Sequence, residues 1–161
     1  GPGASRAQLG GVLAELAAGR AGPVVTGGRV AEPVAGGFYL EPTIIDGVDN
    51  ASPIAQQEIF GPVLTISTFR EDAEALALAN DTVYGLAAGV WTSNLSRAHH
   101  FTRELRAGIV WAPDYNALGI DRPFGGVKGT GSGRDKGVQA LSQYTTSKTS
   151  WIDFRGAPGA E

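Results

Sequence analysis

Residues 63–111 read VLTISTFREDAEALALANDTVYGLAAGVWTSNLSRAHHFTRELRAGIVW. The run from Val63 to Phe69 is almost continuously β-branched or apolar, the pattern of a strand covered on both faces. Residues 71–79 follow as a helix whose acidic residues crowd the first turn, where the helix dipole favours negative charge. Leu86 to Trp91 reads as a second buried strand. Asn94 is placed to cap a second helix carrying the stripe Leu95, Ala98, Phe101 and Leu105. Gly108 ends that helix, and Ile109-Val110-Trp111 forms a third strand. Strand-helix-strand-helix-strand with short joints implies two successive right-handed crossovers, hence an α/β fold with a mostly parallel sheet and flanking helices. Ligands in such folds sit beyond the carboxyl ends of the strands, and the loop 112–121 leaves from one of those ends.

Upstream, Leu9, Val12, Leu13 and Leu16 recur at helical spacing, predicting a helix over 5–18 with Gly19 as its stop. Gly10 and Gly11 inside it cost about 1 kcal/mol each relative to Ala, so this helix needs a tertiary partner. Residues 23–26 read as a short strand. Residues 38–45 are extended, but Pro42 makes them an edge strand or a broken one. Ser52 and Pro53 are placed as N-cap and first turn of a short helix over 52–57. At the other end, Tyr144 to Ile152 has strong β-propensity with a polar middle and no following helix. A lone terminal strand of this kind pairs with something outside the sheet. Residues 155–161 read as a frayed tail, and Gly1-Pro2 within residues 1–3 as the remnant of a cleaved tag.

Composition removes several function classes. The 161 residues suffice for one domain with a real core. A net charge of -3 offers no basic face, so nucleic acid is not an expected partner. No apolar run approaches the ~20 residues of a membrane span. Gly (24) and Pro (9) recur without period, which rules out a collagen-like repeat and implies many tight turns. Cysteine is absent, which excludes disulfides, thiolate metal sites and a cysteine nucleophile within this chain. His99 and His100 are helix neighbours about 100° apart and do not ligate one metal together, so no metal site is expected.

Four short motifs carry the chemistry. They are Gln57-Glu58-Ile59-Phe60-Gly61-Pro62-Val63, then Asn80 with Tyr84-Gly85-Leu86, then Trp111, then Pro123-Phe124-Gly125-Gly126-Val127-Lys128 followed by Gly131-Ser132-Gly133-Arg134. Read without context, Glu58 is a capping or solvated carboxylate and Phe124 a core residue. The glycine run tempts one toward a phosphate cradle but fits neither nucleotide-binding spacing. In this order and spacing, however, the set resembles the C-terminal part of the catalytic domain of an NAD(P)-dependent aldehyde dehydrogenase. The resemblance runs from about Gln8 to Phe154. It implies a partial catalytic domain over 4–143 and an oligomerisation strand over 144–154. The remaining terminal residues are the tag remnant and the tail.

What the resemblance implies for the site can be set beside the bland readings. Glu58 would accept hydrogen bonds from the ribose hydroxyls of the nicotinamide half of NAD or NADP. An ionised carboxylate is acceptor-only, so its two oxygens suit two vicinal hydroxyls. Phe60 would pack beside the nicotinamide. Asn116, Leu118 and Phe124 would line the aldehyde tunnel, although a plain loop role fits the first two equally well. Many relatives carry an aromatic where this chain has Leu118, which implies a wider tunnel. Where relatives often read Trp-Val-Asn, this chain has Trp111-Ala112-Pro113, a stiffer loop because Pro fixes φ and lacks an N–H. Asp121 and Arg122 at the mouth read as a solvated pair, with a charged substrate as the other option. The glycine run becomes a tight loop bordering the active site.

The family's nucleophile is a cysteine, with a glutamate that activates water. Neither position falls in this chain, so no catalytic residue is assigned here and the chain alone is expected to be inactive. The implied parent oxidises an aldehyde to a carboxylic acid, sits in the cytoplasm, and forms a homodimer or homotetramer through the strand from Tyr144 to Ile152. Gly133-Arg134-Asp135-Lys136 and Lys148-Thr149-Ser150-Trp151-Ile152 look most like the branch acting on ω-amino and γ-glutamyl-amino aldehydes. The alternative is a non-catalytic, truncated module that uses its terminal strand to pair with a partner's sheet edge.

Overall fold

A computed structural model describes residues 2–18, 22–153 and 155. The chain divides into two compact units, Gly1–Val83 and Tyr84–Glu161.

The first unit begins with helix α1, Arg6–Ala18. Ser5 caps it, its Oγ accepting from the Gln8 N–H at 3.1 Å. Val12 and Leu16 are buried, and Leu9 and Leu13 pack beside them, so the whole expected stripe faces the core. Gly10 and Gly11 lie on the exposed side, and a Cβ built on either meets nothing within 4 Å. Gly10→Ala and Gly11→Ala should therefore each raise stability by about 0.5–1 kcal/mol, read as a higher urea midpoint at unchanged slope.

The core that α1 covers is a short three-stranded sheet of β1 (Val24–Thr26), β4 (Thr43–Ile45) and β5 (Val63–Thr65), in the order β1-β4-β5. β1 is antiparallel to β4, and β4 is parallel to β5. A separate antiparallel pair joins β2 (Val30–Ala31) to β3 (Tyr39–Leu40). The extended segment 38–45 thus breaks at Pro42, as expected. Its second half is nonetheless the central strand, because Pro42 falls just outside the ladder and removes no bond from it. Buried Thr43 is fully paired, its Oγ1 accepting from the Gly28 N–H and donating to the Glu41 carbonyl, both at 2.8 Å.

Two further expectations need correcting. The strand after Val63 is short and covered on one face only. Thr43 and Ile45 are buried and lie beside half-buried Val63 and Thr65, whereas Leu64 opposite Ile44 is 57% exposed and Phe69 is 50% exposed. An apolar run records which faces must be covered, not what covers them, and α1 with its neighbours supplies one layer. Ser52 stands at the N-cap of α2 (Pro53–Gln56) but makes no side-chain capping bond; its Oγ is oriented to donate to the Asp49 carbonyl. Helix α3, Asp72–Asn80, completes the unit, with Asp72 and Glu74 in its first turn.

The second unit holds β6 (Ala87–Gly89), α4 (Leu95–Glu104) and β7 (Ile109–Trp111), with β6 and β7 paired in parallel. This is the second of the two expected crossovers. The first, from the strand at 63–69 to the strand at 86–91, is not formed: β5 pairs with β4 and β6 with β7, in separate sheets of the described chain. Asn94 caps α4 as anticipated, its side chain accepting from the Arg97 N–H at 3.0 Å. Phe101 is the buried member of the stripe, while Leu95 is exposed. A 3-10 helix, Val138–Tyr144, then leads into the tail. Tyr144 ends that helix rather than opening a strand, and residues 145–153 are exposed and outside any ladder of the described chain. Of the expected tail, only Arg155 lies within the described residues.

Candidate functional site

Loop 57–62 is gripped by α1 at three successive points. Gln8 Nε2 donates to the Phe60 carbonyl at 2.7 Å. One turn on, Val12 lies so close to Gly61 that a Cβ there would sit 3.0 Å from its Cγ2. The next turn brings Glu15 to Gln57; with the Gln57 amide turned so that its nitrogen rather than its oxygen faces the carboxylate, the orientation that satisfies both groups, it donates to the two Glu15 oxygens at 3.2 and 3.1 Å. Residues 8, 12 and 15 share one helical face, which is why one helix can hold both ends of the loop. Between the anchors Ile59 turns into the core, while Glu58 and Phe60 face outward.

The two outward residues have the properties that the resemblance requires. Glu58 is exposed, and no described residue pairs with its carboxylate, so both oxygens are available as acceptors. Phe60 is 70% exposed, its ring unspent on packing. It also adopts φ of +54°, in the left-handed region that a bulky side chain rarely visits. These features fit the nicotinamide-ribose half of a dinucleotide: an acceptor for paired hydroxyls beside an apolar ring face.

The second unit carries the other candidates. Loop 112–123 leaves the carboxyl end of β7 and is tied back by Trp111, whose Nε1 donates to the Ala117 carbonyl at 2.9 Å. The Tyr115 ring packs at a tilt against Trp111 and Trp91, with centroids 5.5 and 6.4 Å away. Leu118, with Arg122 and Pro123, lines an open cavity of about 540 Å³ whose floor is Gly108 to Trp111. That volume is within the ordinary range for small ligands. Asn116, at φ of +62°, is exposed and is not part of the lining. Phe124 is half-buried and also outside the lining. Lys136 stands over its ring, Nζ 5.7 Å from the centroid. Of the three expected tunnel residues, then, only Leu118 lines this cavity.

The glycine run folds as a closed loop. Phe124 and Asp135 form an antiparallel bridge at its neck. Arg134 fills the interior, its Nη1 donating to the carbonyls of Gly126, Ser132 and Gly133 at 2.7, 3.1 and 2.8 Å. The loop closes onto Gly85, whose carbonyl accepts from the N–H groups of Val127 and Gly108. Gly85 N–H in turn donates to Thr130 Oγ1 at 2.9 Å. With Arg134 committed to the loop's own carbonyls, this segment is a scaffold for the cavity wall rather than a phosphate cradle.

Gln8 escaped the sequence reading, although a signal for it was present. Ser5 and Gln8 have the spacing of a capping box, in which the third residue of a helix reaches back toward the cap.

The family model for the aldehyde dehydrogenase family matches residues 1–150, and the chain belongs to that family. A butyrolactone dehydrogenase of Acinetobacter baylyi, in full (Z)-2-((N-methylformamido)methylene)-5-hydroxybutyrolactone dehydrogenase, is 47% identical over 137 residues. That match covers 84% of this chain and 28% of the relative. Betaine aldehyde dehydrogenase of Cereibacter sphaeroides is 43% identical over 154 residues, 94% of this chain and 32% of the relative. Among solved structures, the P. syringae indole-3-acetaldehyde dehydrogenase in complex with NAD+ and IAA superposes with a TM-score of 0.87 at 50% identity. It covers 93% of this chain and 31% of that one. The aldehyde dehydrogenase KauB from Pseudomonas aeruginosa gives a TM-score of 0.87 at 49% identity, covering 92% and 30%. The chain thus spans about a third of the length of these relatives. No helix among the described residues is long and apolar enough to cross a membrane.

Proposed function

We propose that this chain forms the nicotinamide-ribose contact and part of the substrate wall of an NAD(P)-dependent aldehyde dehydrogenase, which converts an aldehyde to a carboxylic acid. The observation that carries the reading is loop 57–62, anchored at both ends on α1 with Glu58 and Phe60 left facing outward. A bound nicotinamide dinucleotide supplies the hydride acceptor. Glu58 would fix the ribose by its two oxygens, and Phe60 would shield one side of the ring from water. Leu118, Asn116 and Phe124 belong to the proposed aldehyde wall, with Leu118 best supported because it lines the cavity.

Within the aldehydes, the likeness of Gly133-Arg134-Asp135-Lys136 and Lys148 to Ile152 supports the ω-amino and γ-glutamyl-amino branch. Arg134 and Lys136 are taken up by the loop itself, so this choice rests on sequence likeness and on no substrate contact. The exposed, ladder-free tail, with Trp151 85% exposed, supports assembly of a homodimer or homotetramer through the strand from Tyr144 to Ile152. The same tail is the one observation favouring a non-catalytic pairing module.

The two readings part in one assay. The chain has no cysteine, and the reaction needs a thiolate nucleophile. Incubated alone with NAD+ and a panel of aldehydes, it should form no NADH above a buffer blank. A full-length polypeptide containing it should form NADH with at least one of them. NADH from the isolated chain, or none from the full-length polypeptide, contradicts the proposal.

A further inference from the structure

We infer that Gln8 is a positioning residue for the cofactor loop, holding the Phe60 backbone in its left-handed conformation and so setting where Glu58 and the Phe60 ring stand. This rests on the reading that Glu58 and Phe60 meet the nicotinamide half of the cofactor. Gln8 is the third residue of α1, and both ends of its amide are committed. Oε1 accepts from the Ala4 N–H at 2.6 Å, while Nε2 donates to the Phe60 carbonyl at 2.7 Å. A backbone N–H can only donate and a carbonyl only accept, so these partners fix which way the amide faces. The helix start holds the side chain in turn, through the bond from Gln8 N–H to Ser5 Oγ.

The bond falls where the backbone needs it. Phe60 at φ of +54° is strained, and such strain persists only where surrounding contacts over-determine it. One hydrogen bond is of the same order as that strain. Without it, Phe60 relaxes toward negative φ, and Glu58, two residues earlier, is released from its place.

Gln8→Glu isolates the donor: the carboxylate still accepts from Ala4 but faces the Phe60 carbonyl with a second acceptor. Gln8→Lys restores a donor. The first readout is the one-bond Cα–Hα coupling of Phe60 in the labelled 161-residue chain. It should report positive φ in the wild type and Gln8→Lys, and move toward the ordinary value in Gln8→Glu. The second is equilibrium binding of NAD+ to the full-length enzyme that the proposed function requires. Gln8→Glu should weaken it about 5-fold, the worth of one hydrogen bond, at an unchanged melting temperature. Gln8→Lys should recover most of that loss. A merely structural role would lower the melting temperature and leave the affinity alone. Positive φ retained in Gln8→Glu, or unaltered affinity, overturns the inference. If Glu58→Gln and Phe60→Ala also leave affinity unaltered, the functional reading has failed and takes this inference with it. If those two weaken binding while Gln8→Glu does not, the Gln8 inference alone is wrong.

Discussion

Gly108→Ala should unfold the second unit while leaving the first largely intact. A Cβ at Gly108 would lie 1.7 Å from the Gly125 carbonyl oxygen and 2.8 Å from its carbon, both backbone atoms that no rotamer change can move. Relief requires the glycine loop to lift off β7. That breaks the contacts centred on Gly85, whose carbonyl receives the N–H groups of both Gly108 and Val127. Gly85 itself is also crowded, though less severely, with Arg106 O 2.8 Å and Val127 O 3.0 Å from a Cβ built there. The substitution should cost about 3 kcal/mol or more, at the severe end for overpacking. Hydrogen exchange should show amides of β6, β7 and residues 124–135 losing protection, with those of β4 and β5 retained. Gly11→Ala makes the same chemical change in open space and should have the opposite sign, so the pair separates crowding from any general effect of alanine.

Ile45→Ala should produce the largest loss in the first unit. Ile45 is fully buried at the end of β4, the middle strand of its sheet, in one cluster with Val12, Leu16, Leu40, Val48 and Ile54. Truncation should cost about 3–4 kcal/mol, combining lost transfer energy with the cavity left behind. Ile45→Val should cost only about 1 kcal/mol. The consequence reaches the site, because Ile59 between Glu58 and Phe60 packs against the same cluster, and Val12 supports Gly61. Urea midpoints give the cost. Broadened Phe60 and Gly61 resonances in the Ile45→Ala chain, absent from Ile45→Val, would report the loosened loop.

Elements governed by local pattern were legible in the sequence. The α1 stripe, the Asn94 cap and the break at Pro42 depend on spacing, a side-chain acceptor and a missing N–H, all encoded within a few residues. Features decided by tertiary partners were not. Ser52 has the identity of a cap but spends its hydroxyl on Asp49. Leu64 and Phe69 are apolar yet exposed, because a residue's hydrophobicity does not name the layer that meets it. At the site, resemblance pointed to Glu58 and Phe60, but nothing in the sequence announced that an aromatic residue would adopt positive φ. Nor did it show that Arg134 would turn inward onto three carbonyls. The Ser5-Gln8 spacing pointed to a helix start, whereas the loop 52 residues away that Gln8 also holds lies beyond any local signal.

The central claim is that Glu58 recognises the nicotinamide-side ribose, and the most direct measurement is a comparison of two ligands. NAD+ carries that ribose and ADP does not. In the full-length enzyme, Glu58→Gln should weaken NAD+ about 10-fold or more, as expected for hydrogen bonds to a charged acceptor, and leave ADP affinity unchanged. Equal losses for both ligands, or no loss for NAD+, would contradict the account.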